Sequence, residues 1–182
     1  KMSLEVAGVA SFAYGQGKVY FVDQETLCTS TGNGLVAYSV GKLEQQRHVW
    51  GDESRHGASL GPFALGCSPT GGVSAFAPKD YPGDVTIAKG PSFAPVKQLK
   101  VGAELGYREV AVSRCRSRVA VVTGLPHFKL TLWDWEEEKM VAEFAAGEAF
   151  SGSGLSFFPS TPSVVVTMGV RKAVVLRVDL TT

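Results

Sequence analysis

No stretch of this 182-residue sequence holds the roughly 18 consecutive apolar residues that a membrane-spanning helix requires. Its start carries no charged segment followed by an apolar run of the signal-peptide kind, so a soluble, intracellular chain without a membrane partner is expected. Charge of one sign is also missing. Lys and Arg number 18 against 17 Asp and Glu, which argues against nucleic acid or an anionic membrane surface as a partner. Cysteine is scarce: Cys28, Cys67 and Cys115 make an odd, widely spaced set that fits neither a disulfide framework nor a metal site. A reducing compartment is the simpler reading. His48, His56 and His127 have no Cys, Asp or second His at a ligand interval, so surface or turn positions explain them.

What is abundant is turn residue and short apolar run. Gly at 21 and Pro at 9 accompany a hydrophobic share of 45%, the composition of many short strands joined by tight turns rather than of a disordered chain. The plan is clearest at Leu130-Thr131-Leu132-Trp133-Asp134-Trp135, followed by Glu136-Glu137-Glu138-Lys139 and then Met140 to Phe144. Two β-prone runs flank a charged turn, and the first ends in a Trp-Asp pair, as third strands do in the blades of WD-type repeats.

Fainter copies precede and follow this hairpin. Near the start, Leu4 to Tyr14 reads as a strand closed by Gly15-Gln16-Gly17, and then come Val19 to Val22, Thr26 to Ser30, Leu35 to Val40 and Gln46 to Trp50, with a turn at Thr31-Gly32-Asn33-Gly34. In the second copy Phe63 to Cys67 leads through Ser68-Pro69-Thr70-Gly71-Gly72 into Val73 to Ala77, then Val85 to Ala88 and Val96 to Val101. The third has Glu109 to Ser113 and Arg118 to Thr123, with Cys115-Arg116-Ser117 standing where Pro-Thr-Gly stands. The fourth runs from Leu155 to Pro159, turns at Ser160-Thr161-Pro162 and continues as Val164 to Met168 and Ala173 to Val178.

Ser68, Ser113 and Phe158 close the first strand of successive copies and stand 45 residues apart. That period is the WD-type one. The expected fold is therefore all-β, a WD-repeat β-propeller, with the chain an N-terminal portion of about four blades of a larger ring. The expected bounds are 4–52, 60–102, 107–146 and an incomplete 153–182. Blades bury their faces only against neighbours, so an isolated set of four would leave an apolar face and a free edge.

Several motifs suggest chemistry and fail on context. Gly57-Ala58-Ser59-Leu60-Gly61 spells a nucleophile elbow at Ser59, yet Pro62 and a strand follow where a helix is needed. Gly15-x-Gly17 and Gly32-x-Gly34 join strands rather than opening a helix that could hold phosphate. No catalytic residue, cofactor or metal ligand is assigned. The interaction candidates are Trp133, Asp134 and Trp135, with the tryptophans on one side of their strand as packing residues and Asp134 on the other. Arg114, Arg116 and Arg118 alternate and so should share one face, as a small basic patch or a solvated edge. Glu136 to Glu138 read as a solvated turn.

The runs Lys18 to Leu27, Thr31 to Val40, Leu125 to Glu136 and Leu155 to Pro159 together resemble the opening of axonemal WD-repeat cilia- and flagella-associated proteins, the Trp133-Asp134-Trp135-Glu136 segment most specifically. The forty-three and forty-four types are the best fit, with the fifty-seven type as near relative. A second glycine after the first Gly-Asn, and Cys115-Arg116-Ser117 in place of Pro-Asp-Gly, depart from the pattern. The resemblance implies a non-catalytic scaffold of the ciliary or flagellar axoneme that ties an inner-arm dynein head to the doublet microtubule. Its partners would be the inner-arm dynein heavy chain, the doublet microtubule and a sister WD-repeat tether subunit in a hetero-complex. The alternatives are a general WD-repeat adaptor of another intracellular complex, or a propeller enzyme using Ser59.

Overall fold

The computed structural model describes residues 18–31, 34–41, 45–49, 63–78, 83–90, 92–145, 154–168 and 173–179. The expected strand Leu4–Tyr14, the turn at 15–17, Asn33, His56 and Ser59 lie outside them. Among the described residues four antiparallel sheets follow one another in chain order. The first sheet holds β1 (Val19–Phe21), β2 (Thr26–Thr31), β3 (Gly34–Ser39) and β4 (Gln45–Val49), and the second holds β5 (Phe63–Cys67), β6 (Val73–Pro78), β7 (Val85–Lys89) and β8 (Ala94–Leu99). The third holds β9 (Tyr107–Val112), β10 (Arg118–Thr123), β11 (Lys129–Asp134) and β12 (Lys139–Ala145). The fourth has β13 (Leu155–Phe158), β14 (Thr161–Met168) and β15 (Ala173–Arg177). In every sheet the strands pair in sequence order; β5, β9 and β13 stand next to one another across the gaps between sheets, and β2 and β1 of the first sheet face β5. This is a partial β-propeller. Among the described residues no helix is long and apolar enough to cross a membrane.

Period-two alternation explains the stacking, because a middle strand with apolar residues on both faces buries both. In β6, Val73, Ala75 and Ala77 pack toward the third sheet while Phe76 packs toward the first. In β10, Val119 and Val121 face the second sheet, and Ala120 and Val122 face the fourth. Three apolar layers result, one in each gap between sheets. Ile87, Val85 and Leu99 lie with Tyr107 and Val110 in the middle layer, all essentially without exposure. Each large side chain so buried contributes about 1.5–3 kcal/mol.

Backbone contact in these gaps is close enough to dictate residue type. A β-carbon on Gly66 of β5 would lie 2.4 Å from the Val110 carbonyl oxygen and 2.8 Å from the Ala111 α-carbon of β9. Only glycine lets the two first strands approach so near.

The repeat is visible in hydrogen bonds as well as spacing. Val22, Ser68 and Ser113 play one role: each donates its backbone N–H at 2.9 Å across the first turn, to Thr26, Val73 and Arg118 respectively. Gly71 and Arg116 then occupy the same left-handed position, at φ 73° and 69°, and each donates its N–H to the carbonyl of Ser68 or Ser113. Arg114-Cys115-Arg116 therefore stands where Pro69-Thr70-Gly71 does. The expectation that Cys115-Arg116-Ser117 fills that place is one residue out of register, because the left-handed position of the turn falls on Arg116 and not on Ser117.

Other expected elements shift for local reasons. The fourth strand of the second sheet begins at Ala94, directly after positive-φ Phe93, and ends at Leu99, where the Val101 N–H turns back to the Leu99 carbonyl. Pro95 is tolerated there because a sheet's edge strand need not use every N–H. In the fourth sheet the turn is Pro159-Ser160, and Thr161 already pairs with Phe158 across a bulge, so Thr161 and Pro162 belong to β14. Thr31 and Gly34 pair with each other and so belong to β2 and β3 rather than to a turn.

Candidate functional site

The hairpin that joins β11 to β12 is the joint between the second and third sheets. Register sets Arg118 of β10 directly opposite Asp134 of β11, and the two form a half-buried ion pair through Arg118 Nη1 and Asp134 Oδ2. The other carboxylate oxygen of Asp134 accepts the backbone N–H groups of Glu136 and Glu137, both at 3.1 Å, which shapes the turn. One aspartate thus serves a strand pair and a turn together. Asp134→Ala should cost about 2 kcal/mol, the scale of hydrogen bonds to a charged group, and Asp134→Asn, which keeps the turn, about half of that; urea denaturation checks both.

Trp135, one residue beyond the strand, is buried against the second sheet, and half-buried Trp133 packs on the same layer. The indole N–H of Trp135 donates to the Arg116 carbonyl, and Lys89 Nζ of β7 lies 5.6 Å above its ring centroid. The Trp133 indole N–H is buried with no hydrogen-bond partner. Lys97 of β8 donates to the Glu136 carbonyl at 2.5 Å and pairs with Glu138 at 3.1 Å. The acidic turn is exposed, as expected, but it is also tied to the neighbouring sheet.

The three arginines do not share a face. Only Arg118 sits in a strand, and the left-handed backbone at Arg116 breaks the alternation that would have aligned them. Arg116 reaches back to the second sheet, donating from Nε to the Thr70 hydroxyl at 3.2 Å and from Nη2 to the Thr70 carbonyl at 3.0 Å. Arg114 is exposed, and its carbonyl accepts the Thr70 hydroxyl at 2.8 Å. Alongside these bonds, the Ser68 hydroxyl donates at 2.9 Å to the carbonyl of its repeat partner Ser113. Between the first and second sheets the Gly72 N–H donates to the Val22 carbonyl at 3.0 Å. The first turns are thus laced together from sheet to sheet.

Five further residues were not foreseen as a group. Glu109 of β9 is buried and pairs with Lys18, at the head of the first sheet, at 2.5 Å. Tyr20 lies beside them, its hydroxyl held above the usual tyrosine range by burial and then by the Glu109 charge. Cys28 and Cys67 are free thiols buried in the first layer, and the hydrogen bond between them, with burial, pushes the Cys28 thiol up. No spacing rule links Lys18 to a glutamate 91 residues away. Exposed Cys115 behaves oppositely: burial would raise it, but hydrogen bonds from Ser113 and Ser117, each at 3.2 Å, outweigh that and lower its thiol. Tyr107 is pushed up to about 12, chiefly by burial, and its hydroxyl donates to the Gly83 carbonyl at 2.6 Å. Among the described residues no group of three or more His, Cys, Asp or Glu side chains could hold a metal ion.

Stacked antiparallel sheets, three of four strands and one of three, with the first three laced together through their first turns, define a propeller-type fold. No protein-family model matches the chain. Among curated proteins the chain is similar to cilia- and flagella-associated proteins 43 and 44. It is 29% identical over 120 residues to cilia- and flagella-associated protein 43 of Xenopus laevis, covering 66% of this chain and 7% of that protein. It is 29% identical over 163 residues to cilia- and flagella-associated protein 44 of Chlamydomonas reinhardtii, covering 85% of this chain and 9% of that protein. The mouse protein 44 is 27% identical over 164 residues, 87% of this chain and 8% of its own length. The chain thus spans less than a tenth of the length of these relatives. Neither name denotes an enzyme.

Proposed function

We propose that the chain is a propeller segment of a non-catalytic axonemal scaffold, helping to tie an inner-arm dynein head to the doublet microtubule and so supporting ciliary motility. The observation that carries this reading is similarity across most of the chain to two proteins both named for cilia and flagella. The fold suits the role. Apolar layers and laced turns make a stiff frame, and the exposed turns are left to meet protein partners. Dynein heavy chain and a sister WD-repeat subunit are the expected neighbours.

The test is to tag the whole protein in ciliated cells, extract with detergent and then with salt, and cross-link what remains. Retention in the axoneme with cross-links to an inner-arm dynein heavy chain is the expected result. A diffuse cytosolic pool, or a hydrolase activity lost on Ser59→Ala, would overturn it.

A further inference from the structure

At the end of the second and third sheets opposite the Trp135 hairpin, a hollow of about 90 Å³ opens between the β8–β9 connection and the β10–β11 turn. Its walls are fixed by backbone: the Gly124 N–H donates to the Gly106 carbonyl at 2.8 Å, and the Lys129 N–H to the Thr123 hydroxyl at 2.9 Å. Glu104, Leu125, His127, Lys129, Thr131 and Glu143 line it. Glu104 pairs with His127 at 3.3 Å, and Glu143 with Lys129 at 3.0 Å. Beside His127, its charged lining groups are two carboxylates and one ammonium, an excess of negative charge.

Two more features mark it as a place for something else to enter. Thr131 is buried at its inner wall, with a hydroxyl that has no hydrogen-bond partner. A buried polar group left unpaired is a standing cost that a bound N–H donor removes. Leu125, 49% exposed, lines the opening and offers an apolar shoulder. A long aliphatic stem ending in a cation matches that combination.

We propose that this hollow is a docking seat for an arginine or lysine side chain of a protein partner, with the cationic head between Glu104 and Glu143 and the stem on Leu125. It does not depend on which complex the chain joins. An anchor of this kind fits how interfaces work, where one buried side chain in a pocket carries much of the binding.

The chain, labelled with nitrogen-15, is titrated with the peptide acetyl-Ala-Leu-Arg-Ala-Ala-amide while backbone amide shifts are followed. Shifts confined to residues 101–106, 123–131 and 142–144 are expected. Glu104→Gln, at a side chain 62% exposed and so harmless to folding, should weaken binding about three-fold, the scale of an exposed ion pair. Glu25→Gln, on another sheet, should leave it unchanged. Equal binding of a citrulline peptide, equal shifts from free methylguanidinium, shifts elsewhere, no shifts, or no effect of Glu104→Gln would each overturn the proposal.

Discussion

Trp135→Ala is expected to lower the free energy of unfolding by about 3–5 kcal/mol, the range for emptying a buried aromatic site. Its ring is 3% exposed and lies where β7, the Arg116 turn and the third sheet converge, so few neighbours can collapse into the space. The two tryptophans of the hairpin separate under a milder change. Trp135→Phe removes an indole N–H that donates to the Arg116 carbonyl and should cost about 1 kcal/mol from the lost bond alone. Trp133→Phe removes an indole N–H that donates to nothing, so the lost-bond contribution is about zero, and the smaller ring alone sets the effect. Urea denaturation of the three variants, followed by circular dichroism, gives the order. Equal losses for the two phenylalanine variants would mean that the Arg116 contact does not hold the hairpin.

Gly66→Ala should be nearly as damaging, about 3 kcal/mol or more, the upper end of overpacking costs. The added carbon would meet main-chain atoms, the Val110 oxygen at 2.4 Å and the Ala111 α-carbon at 2.8 Å, and backbone cannot swing aside as a side chain does. Relief requires β5 and β9 to separate, which opens the middle apolar layer. Gly41→Ala is the control, since nothing lies within 4 Å of the added carbon. A Gly66→Ala protein as stable as the control variant would show that the two first strands are not in contact.

The same positions show how far the residues alone could be read. The Ser68 and Ser113 marks, the apolar runs and the Trp-Asp hairpin were all legible, because strand periodicity and repeat length are local or periodic properties of the chain. The hairpin's packing role was legible too: Trp133 and Trp135 do share a layer. The arginines were misread because alternation holds only within a strand, and Arg116 adopts a left-handed backbone in a turn. Strand ends moved where Phe93 and the Phe157/Phe158 bulge reset the pairing, which depends on the neighbouring strand rather than on the run itself.

The sequence by itself determined the fold class, the 45-residue repeat and the likeness to cilia- and flagella-associated proteins, since each is written in order and spacing along one chain. Only the tertiary structure decided that Ser68 hands its hydroxyl to Ser113, that Asp134 holds both a turn and Arg118, and that Lys18 finds Glu109. It also gathered Glu104, Lys129, Thr131 and Glu143 around one hollow. The reason is physical: contacts between blades join residues tens of positions apart, and their partners are chosen by sheet register and stacking, which no local pattern encodes.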